Sequence, residues 1–167
     1  MRRLVIALAE CLDEAVAVQE RLLERLRAQR VAIVAGDAAR VEESSLRMEE
    51  DVLRLGGIES TRNRIAAELA DELGVVVSRW SALREALTEN ERRALAPRVT
   101  QVERLVRDLE LQNTINGQLV RTELALVDTS VRSLGNGGRR AVTRAYAPGG
   151  ATPAPPAATP VLLNLAA

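Results

Sequence analysis

The residues that carry acid-base and nucleophilic chemistry are unevenly represented in this chain. It has no histidine and a single cysteine, Cys11, so neither a Ser-His nor a Cys-His nucleophile pair can form. The same shortage leaves zinc almost without ligands. Carboxylates are plentiful, as in Glu42-Glu43 and Glu49-Glu50-Asp51, but arginines are interleaved with them on predicted helices. We interpret them as a solvated, ion-paired surface and expect no enzyme, no metal site and no cofactor.

The composition also argues against nucleic-acid binding and membrane insertion. The formal net charge is zero, and one Trp, one Tyr and no Phe leave no aromatic platform on which bases could stack. No apolar run approaches the ~20 residues of a membrane span. The apolar start of the chain is interrupted by Glu10 and Asp13 too early for a signal peptide. We therefore expect a cytoplasmic protein with no nucleic-acid partner and no stable membrane insertion.

Apolar residues repeat at helical spacing in two segments joined by a short break. The first segment, 3–34, is predicted to be a helix, and Gly36 suits its C-terminal cap because glycine tolerates positive φ. Asp37 suits the N-cap of a second helix over 38–73, which Gly74 ends. Gly56-Gly57 weakens that helix and allows a kink. The predicted inner face of the first helix comprises Leu4, Leu8, Cys11, Ala15, Val18, Leu22 and Leu26, and that of the second Val41, Met48, Val52, Leu55, Ile65, Leu69 and Leu73.

A third long helix is predicted after a less regular stretch. Residues 75–77 read as extended and 81–87 as a short helix, while Thr88 and Glu91 have capping-box spacing that starts the long helix near Glu89. Pro97 either kinks this helix or marks its true first turn. The predicted inner face comprises Val99, Val102, Val106, Leu109, Val120, Val127 and Leu134, and Gly135 is the expected stop.

These patterns predict an all-α protein, an elongated antiparallel bundle of three long helices with a disordered C-terminal arm. The predicted bundle occupies residues 1–135. Residues 136–167 are rich in Ala, Pro and Gly and bury too little apolar area to offset the entropy of ordering them. The apolar end 161–165 of this tail has no role that we can assign.

Two asparagines interrupt the apolar spacing of the third long helix. Continuing the heptad steps from Leu109 leads to Asn113 and Asn116, with Gly117 next to them. A polar residue at such a position costs stability but fixes the alignment of helices and the choice of partner. Two interpretations remain equally open: an alignment device inside the bundle, or the point where the helix leaves its bundle to meet a partner.

The remaining unusual residues have simpler explanations beside functional ones. Cys11 is expected to be a small core residue and Trp80 to pack over one end of the bundle. Tyr146, the only tyrosine, lies in the tail with nothing local to pack on. It is either incidental or the anchor of a short recognition segment, because a ring brings a large contact area at little entropic cost.

The order of these parts resembles the FlgN-type flagellar export chaperones. The resemblance extends over most of the chain, from the first helix to Gly150, and rests on the Gly36-Asp37 break, the second helix closing on Leu73-Gly74, the late N-x-x-N of the third long helix and the tail tyrosine. It implies a chaperone that binds hook-filament junction (hook-associated) subunits through their C-terminal helical segments, prevents premature assembly and delivers them to the flagellar type III export gate.

Residue roles follow from the same resemblance. It implies that Asn113, Asn116, Leu119, Val120 and Val127 contribute to the client surface and that Tyr146 docks at the export gate. Two alternatives stand beside this function: a structural coiled-coil or adaptor protein that associates with itself, and a chaperone of a related type III secretion system.

Overall fold

Four helices make up the part of the chain that the structure describes. The structure is a computed structural model that describes the backbone of residues 1–137 and the side chains of residues 1–132. The helices are α1 (Arg3–Val34), α2 (Ala38–Leu73), α3 (Trp80–Ala86) and α4 (Glu89–Gly137), and no strand occurs among them. The all-α prediction is therefore confirmed. The three predicted long helices are present, and a short helix, α3, lies between the second and the third of them.

The turn between α1 and α2 forms as the sequence predicts. Gly36 has a φ of 67°, and the amides of Gly36 and Asp37 donate to the carbonyls of Ile33 and Ala32, which satisfies the end of α1. The Asp37 side chain in turn accepts from the amide of Arg40, 3.1 Å away, and so caps the start of α2. Asp37 thus takes part both in the end of α1 and in the start of α2, so the turn between the two helices is tight.

The α1 and α2 helices run antiparallel. Arg54 of α2 contacts Glu14 of α1, whereas Ser45, earlier in α2, contacts Gln29, later in α1. Gly56 and Gly57 lie within an uninterrupted α2. Gly74 ends the helix with a φ of 68°, as predicted from the sequence.

The α1 and α4 helices run parallel. The α2 helix runs back along α1, and the chain turns again through α3 before α4 begins. Arg98 forms a two-bond ion pair with Asp13, with nitrogen-oxygen distances of 2.8 and 3.0 Å. Further along both helices, Gln101 contacts Glu20. Pro97 lies well inside α4, so the prediction that it marks the first turn is wrong.

The start of α4 is fixed by a buried glutamate. The backbone amide and the hydroxyl of Thr88 donate to the Glu91 carboxylate at 3.1 and 2.8 Å, which confirms the capping interaction. The amide of Arg2 also donates to this carboxylate, at 3.3 Å, and ties α4 to the beginning of α1. Glu91 is buried, and burial raises its pKa, but these hydrogen bonds outweigh burial and leave the pKa below its usual value.

The core is a narrow layer of aliphatic side chains between α1, α2, α3 and the first part of α4. Every predicted inner residue of α1 from Leu8 to Leu26 is buried, and Trp80 packs against this core from the start of α3. The α4 helix contributes Leu95, Val102 and Leu105 as buried residues. Cys11 is one of the core residues, and burial raises the pKa of its thiol, with Glu14 as a second cause.

One predicted inner position of α2 is wrong. Val52 is exposed, and its neighbour Asp51 is buried instead. The Asp51 carboxylate lies 3.0 Å from Arg21 and 3.1 Å from Arg25, both on α1. These two cations compensate the cost of burying the charge. Asp51 is therefore an internal ion-pair partner and not part of the solvated acidic surface that the sequence suggested.

Chain contacts divide the protein into two units, Met1–Asp128 and Thr129–Ala167. The first unit contains α1 to α3 and most of α4. The described part of the second unit is the end of α4, which continues past the predicted stop at Gly135 to Gly137; a glycine costs a helix only about 1 kcal/mol and does not force it to end. The predicted arm comprises residues 136–167, and the structure describes none of them beyond residue 137. Tyr146 and the end 161–165 therefore lie outside the described residues, and the domain boundary at residue 135 stays a prediction.

Candidate functional site

The inner face of α4 is covered along its first part and exposed along its later part. Leu95, Val102 and Leu105 on this face are buried, and Val99, Val106 and Leu109 are partly buried against the core. From Val120 onward the same face is exposed. We refer to Val120, Leu124 and Val127, which follow each other at steps of four and three, as the free face.

The position of α1 explains where the covering ends. Asn116 of α4 contacts Leu26 and Gln29 of α1, and Gln29 lies roughly one and a half turns before Val34, the last residue of α1. Because the two helices run parallel, α4 reaches the hairpin turn about as far beyond Asn116. The later residues of the free face have no part of α1 or α2 beside them.

The three side chains of the free face are exposed to different degrees. Val120 is 38% exposed, Leu124 64% and Val127 58%. Their spacing is that of a coiled-coil contact, in which each side chain packs between residues of a facing helix. An apolar strip of this kind typically marks an interaction site.

The predicted site residues fall into two groups. Val120 and Val127 belong to the free face, and Leu119 is half-buried beside it. Asn113 is half-buried, and Asn116 is only 3% exposed and bonded within the protein's own bundle. These contacts match the interpretation of Asn116 as an alignment device inside the bundle. The client-binding roles of all five residues stay predictions.

Sequence reasoning missed Leu124. It lies at the heptad position between Val120 and Val127 and is more exposed than either. The signal was present in the spacing of these three residues, but the sequence does not show where the covering helices end.

The described residues contain no other arrangement that suggests chemistry. Among residues 1–132 no three His, Cys, Asp or Glu side chains group so that they could hold a metal ion. Two clefts in this region are open to solvent. One lies between Arg3, Ala7 and Glu68, and the other between Glu10, Arg54 and Gly57. In the same part of the chain, no helix combines the length and apolar character needed to span a membrane.

Comparison with known proteins gives one match. Residues 1–154 match a family model described as "FlgN protein". No curated protein matches the chain, and no solved structure does. The matched range includes all four helices and therefore the free face.

Proposed function

The chain belongs to the FlgN family of flagellar export chaperones, and from that premise we propose that it binds hook-associated subunits in the cytoplasm through their C-terminal helical segments. The free face of α4 is the surface on which such a segment packs. Binding keeps the subunit from assembling too early, and the chaperone then delivers it to the type III export gate. Tyr146 serves the docking step at that gate.

The observation that carries this proposal is the uncovered free face. A client helix with an apolar stripe, laid beside α4, restores the cover that α1 provides earlier along the same helix. Fully burying one Val or Leu side chain contributes about 1.5–3 kcal/mol. Three such side chains contribute at most about 9 kcal/mol, which is comparable to the cost of association, so they add only a modest net free energy to the complex. Reversible binding is what a chaperone that hands over its cargo requires.

Co-purification tests the proposal. Each candidate hook-associated subunit is mixed with the chaperone, both intact and without its C-terminal helical segment. We expect a one-to-one complex with the intact subunit and none with the truncated one. If no intact subunit binds, the proposed function is wrong.

A self-associating coiled-coil protein is the second candidate, and the spacing of the free face favours it. Two copies of α4 can pair through Val120, Leu124 and Val127 as readily as α4 pairs with a client. Sedimentation of the free protein separates the two candidates. A monomer at all concentrations supports the chaperone, whereas a stable oligomer that excludes subunits supports the structural protein.

A chaperone of a related type III system would use the same surface with a different client. Subunits of such a system, included in the same co-purification, distinguish this case from the flagellar one.

A further inference from the structure

Glu123 lies on the inner side of α4, among the residues of the free face. It follows Asn116 by one heptad, so the two residues share a side of the helix. Around the helix axis, Glu123 is about 60° from Val120 and about 40° from Val127. Its side chain is exposed. A helix that packs on the free face therefore contacts this carboxylate as well as the three aliphatic side chains.

The α4 helix itself offers Glu123 no compensating cation. The residues three and four positions away in both directions are all aliphatic: Leu119, Val120, Leu126 and Val127. Elsewhere the same spacing joins Glu43 to Arg47 and Glu68 to Arg64 in ion pairs. Within residues 1–132, Glu123 takes part in no ion pair and in no side-chain hydrogen bond. Water alone therefore solvates its charge in the free protein.

One heptad earlier, the same side of α4 is covered, and the covering helix meets the needs of the polar group. Asn116 Nδ2 donates to the Leu26 carbonyl at 2.8 Å and to Gln29 Oε1 at 3.1 Å, both on α1. A partner helix that covers Glu123 removes part of the water around its carboxylate. This loss of hydration costs free energy unless the partner brings a cation in its place.

The charge of Glu123 matters because the apolar contact is small. The three aliphatic side chains of the free face add only a modest net free energy to a complex. One charged contact is then enough to decide between two partners of similar apolar character. An arginine or lysine opposite Glu123 compensates the carboxylate, whereas an aliphatic or acidic residue does not.

A second copy of this chain is an unfavourable partner for the same reason. In a parallel pair of α4 helices in register, the two Glu123 carboxylates lie at the same level of the contact. In the antiparallel pair in which each free face covers the other, the centre of the contact falls between residues 123 and 124, so the two carboxylates meet again. The apolar spacing accepts a second copy and a client alike, but like charges in contact oppose the association.

We propose that Glu123 is a specificity-determining residue of the free face. It favours a client helix whose apolar stripe carries an arginine or lysine opposite Glu123, and it disfavours pairing of the free face with a second copy of this chain. The preference for a client rests on the proposed function. The effect on self-association is a property of the free protein and can be measured without any client.

Sedimentation velocity over a wide range of concentrations measures self-association. We expect the unmodified protein to be a monomer and Glu123→Leu to form dimers, because the opposed charges are gone. Glu123→Arg alone stays monomeric, since two arginines repel each other as two glutamates do. An equimolar mixture of Glu123→Arg with the unmodified protein associates, because opposite charges now meet. Glu103→Leu, the same change at an exposed position of α4 outside the free face, is the matched control and stays monomeric.

The mixture separates the effect of charge from that of added apolar surface. Association of the mixture supports the inference, with or without dimers of Glu123→Leu. Dimers of Glu123→Leu without association of the mixture would show only that the surface has become more apolar, and the role of the charge would be wrong. A unmodified protein that already dimerises through the free face would overturn the inference as well. Circular dichroism checks that each variant is folded.

Titration calorimetry with a hook-associated subunit that binds the unmodified protein measures the preference for a client. We expect Glu123→Gln to raise the Kd roughly tenfold and to make it less dependent on salt, since the screened charge pair is lost. Glu103→Gln is the control and leaves the Kd unchanged. Reversing the charge of the opposing arginine or lysine in the subunit's C-terminal segment restores binding to Glu123→Arg.

An equal or lower Kd for Glu123→Gln would contradict the preference for a basic client. If no subunit binds the unmodified protein, the proposed function fails, and sedimentation still decides whether Glu123 opposes self-association.

Discussion

The Nδ2 of Asn116 on α4 lies 2.8 Å from the main-chain carbonyl oxygen of Leu26 on α1. This bond lies close to the end of α1, which closes at Val34. Before it, the inner face of α4 is packed against the core; after it, the free face is open.

Val127→Asp should abolish client binding and leave the fold intact. A carboxylate placed between apolar side chains of a client helix would be buried without a partner, which strongly opposes association. Val127 is 58% exposed in the free protein, so its replacement removes little packing. Titration calorimetry with a purified subunit measures the binding, and circular dichroism checks the fold.

Leu111→Asp is the matched control for that prediction. Leu111 is an exposed aliphatic residue of the same helix, but it faces away from the free face, because it is nine residues, or half a turn out of phase, from Val120. We expect normal binding. Equal loss of binding in Leu111→Asp and Val127→Asp would show that the free face is not the client surface.

Tyr146→Ala should separate client binding from delivery. The residue lies in the tail, beyond the described part of the chain, and the proposal assigns it to the export gate. We expect unchanged affinity for the subunit in solution but reduced export of that subunit in cells. A variant that loses both to the same extent would contradict this division of roles.

Asp51→Ala should destabilise the protein by about 1.5–3 kcal/mol, the range for losing hydrogen bonds to a charged group. Its carboxylate compensates Arg21 and Arg25, which are themselves only partly exposed. Denaturant unfolding measures the loss. Glu50→Ala, next to it and exposed, serves as the control and should change stability little; a similar loss in both variants would mean that the ion pairs of Asp51 contribute nothing specific.

Glu91→Gln should reduce stability at neutral pH and less so in acid. The pKa of Glu91 is below its usual value of about 4.3, so the folded state favours the carboxylate. Its contribution is complete above the unfolded-state pKa and is lost as the pH falls through the lower folded-state pKa. The difference in unfolding free energy between wild type and variant should therefore shrink in acid.

The control for this pH dependence is Glu103→Gln on the exposed side of α4. We expect it to follow the wild-type profile closely. A Glu91→Gln difference that stays constant from neutral to acid pH would contradict the role given to the charge.

Helix starts and ends could be predicted because they depend on local chemistry. The positive φ of Gly36, the Asp37 cap and the Thr88–Glu91 pair all form as expected. Each involves residues within a few positions of one another, so the sequence contains the whole interaction. The beginning of α3 at Trp80, one residue before the predicted Ser81, differs by no more than helix ends usually do.

The burial of single positions depended on contacts that the sequence does not show. Asp51 stands in a run of acids and reads as surface, yet Arg21 and Arg25 of another helix make its burial possible. Val52 was expected to be buried in its place. The pattern likewise placed Val120 and Val127 on the inner face of the bundle, but both are exposed. Only the structure shows that α1 ends before the level of Val127.

The tight turn at Gly36 and Asp37 has a consequence for how this surface can change over evolution. Because the turn has no spare residues, the lengths of α1 and α2, 32 and 36 residues, determine how far along α4 the hairpin reaches. Inserting one heptad into each hairpin helix would hide Val120 and Leu124, and removing one would uncover as much again. Relatives could thus adjust the size of their binding surface by insertions and deletions far from it, without replacing any residue that touches the partner.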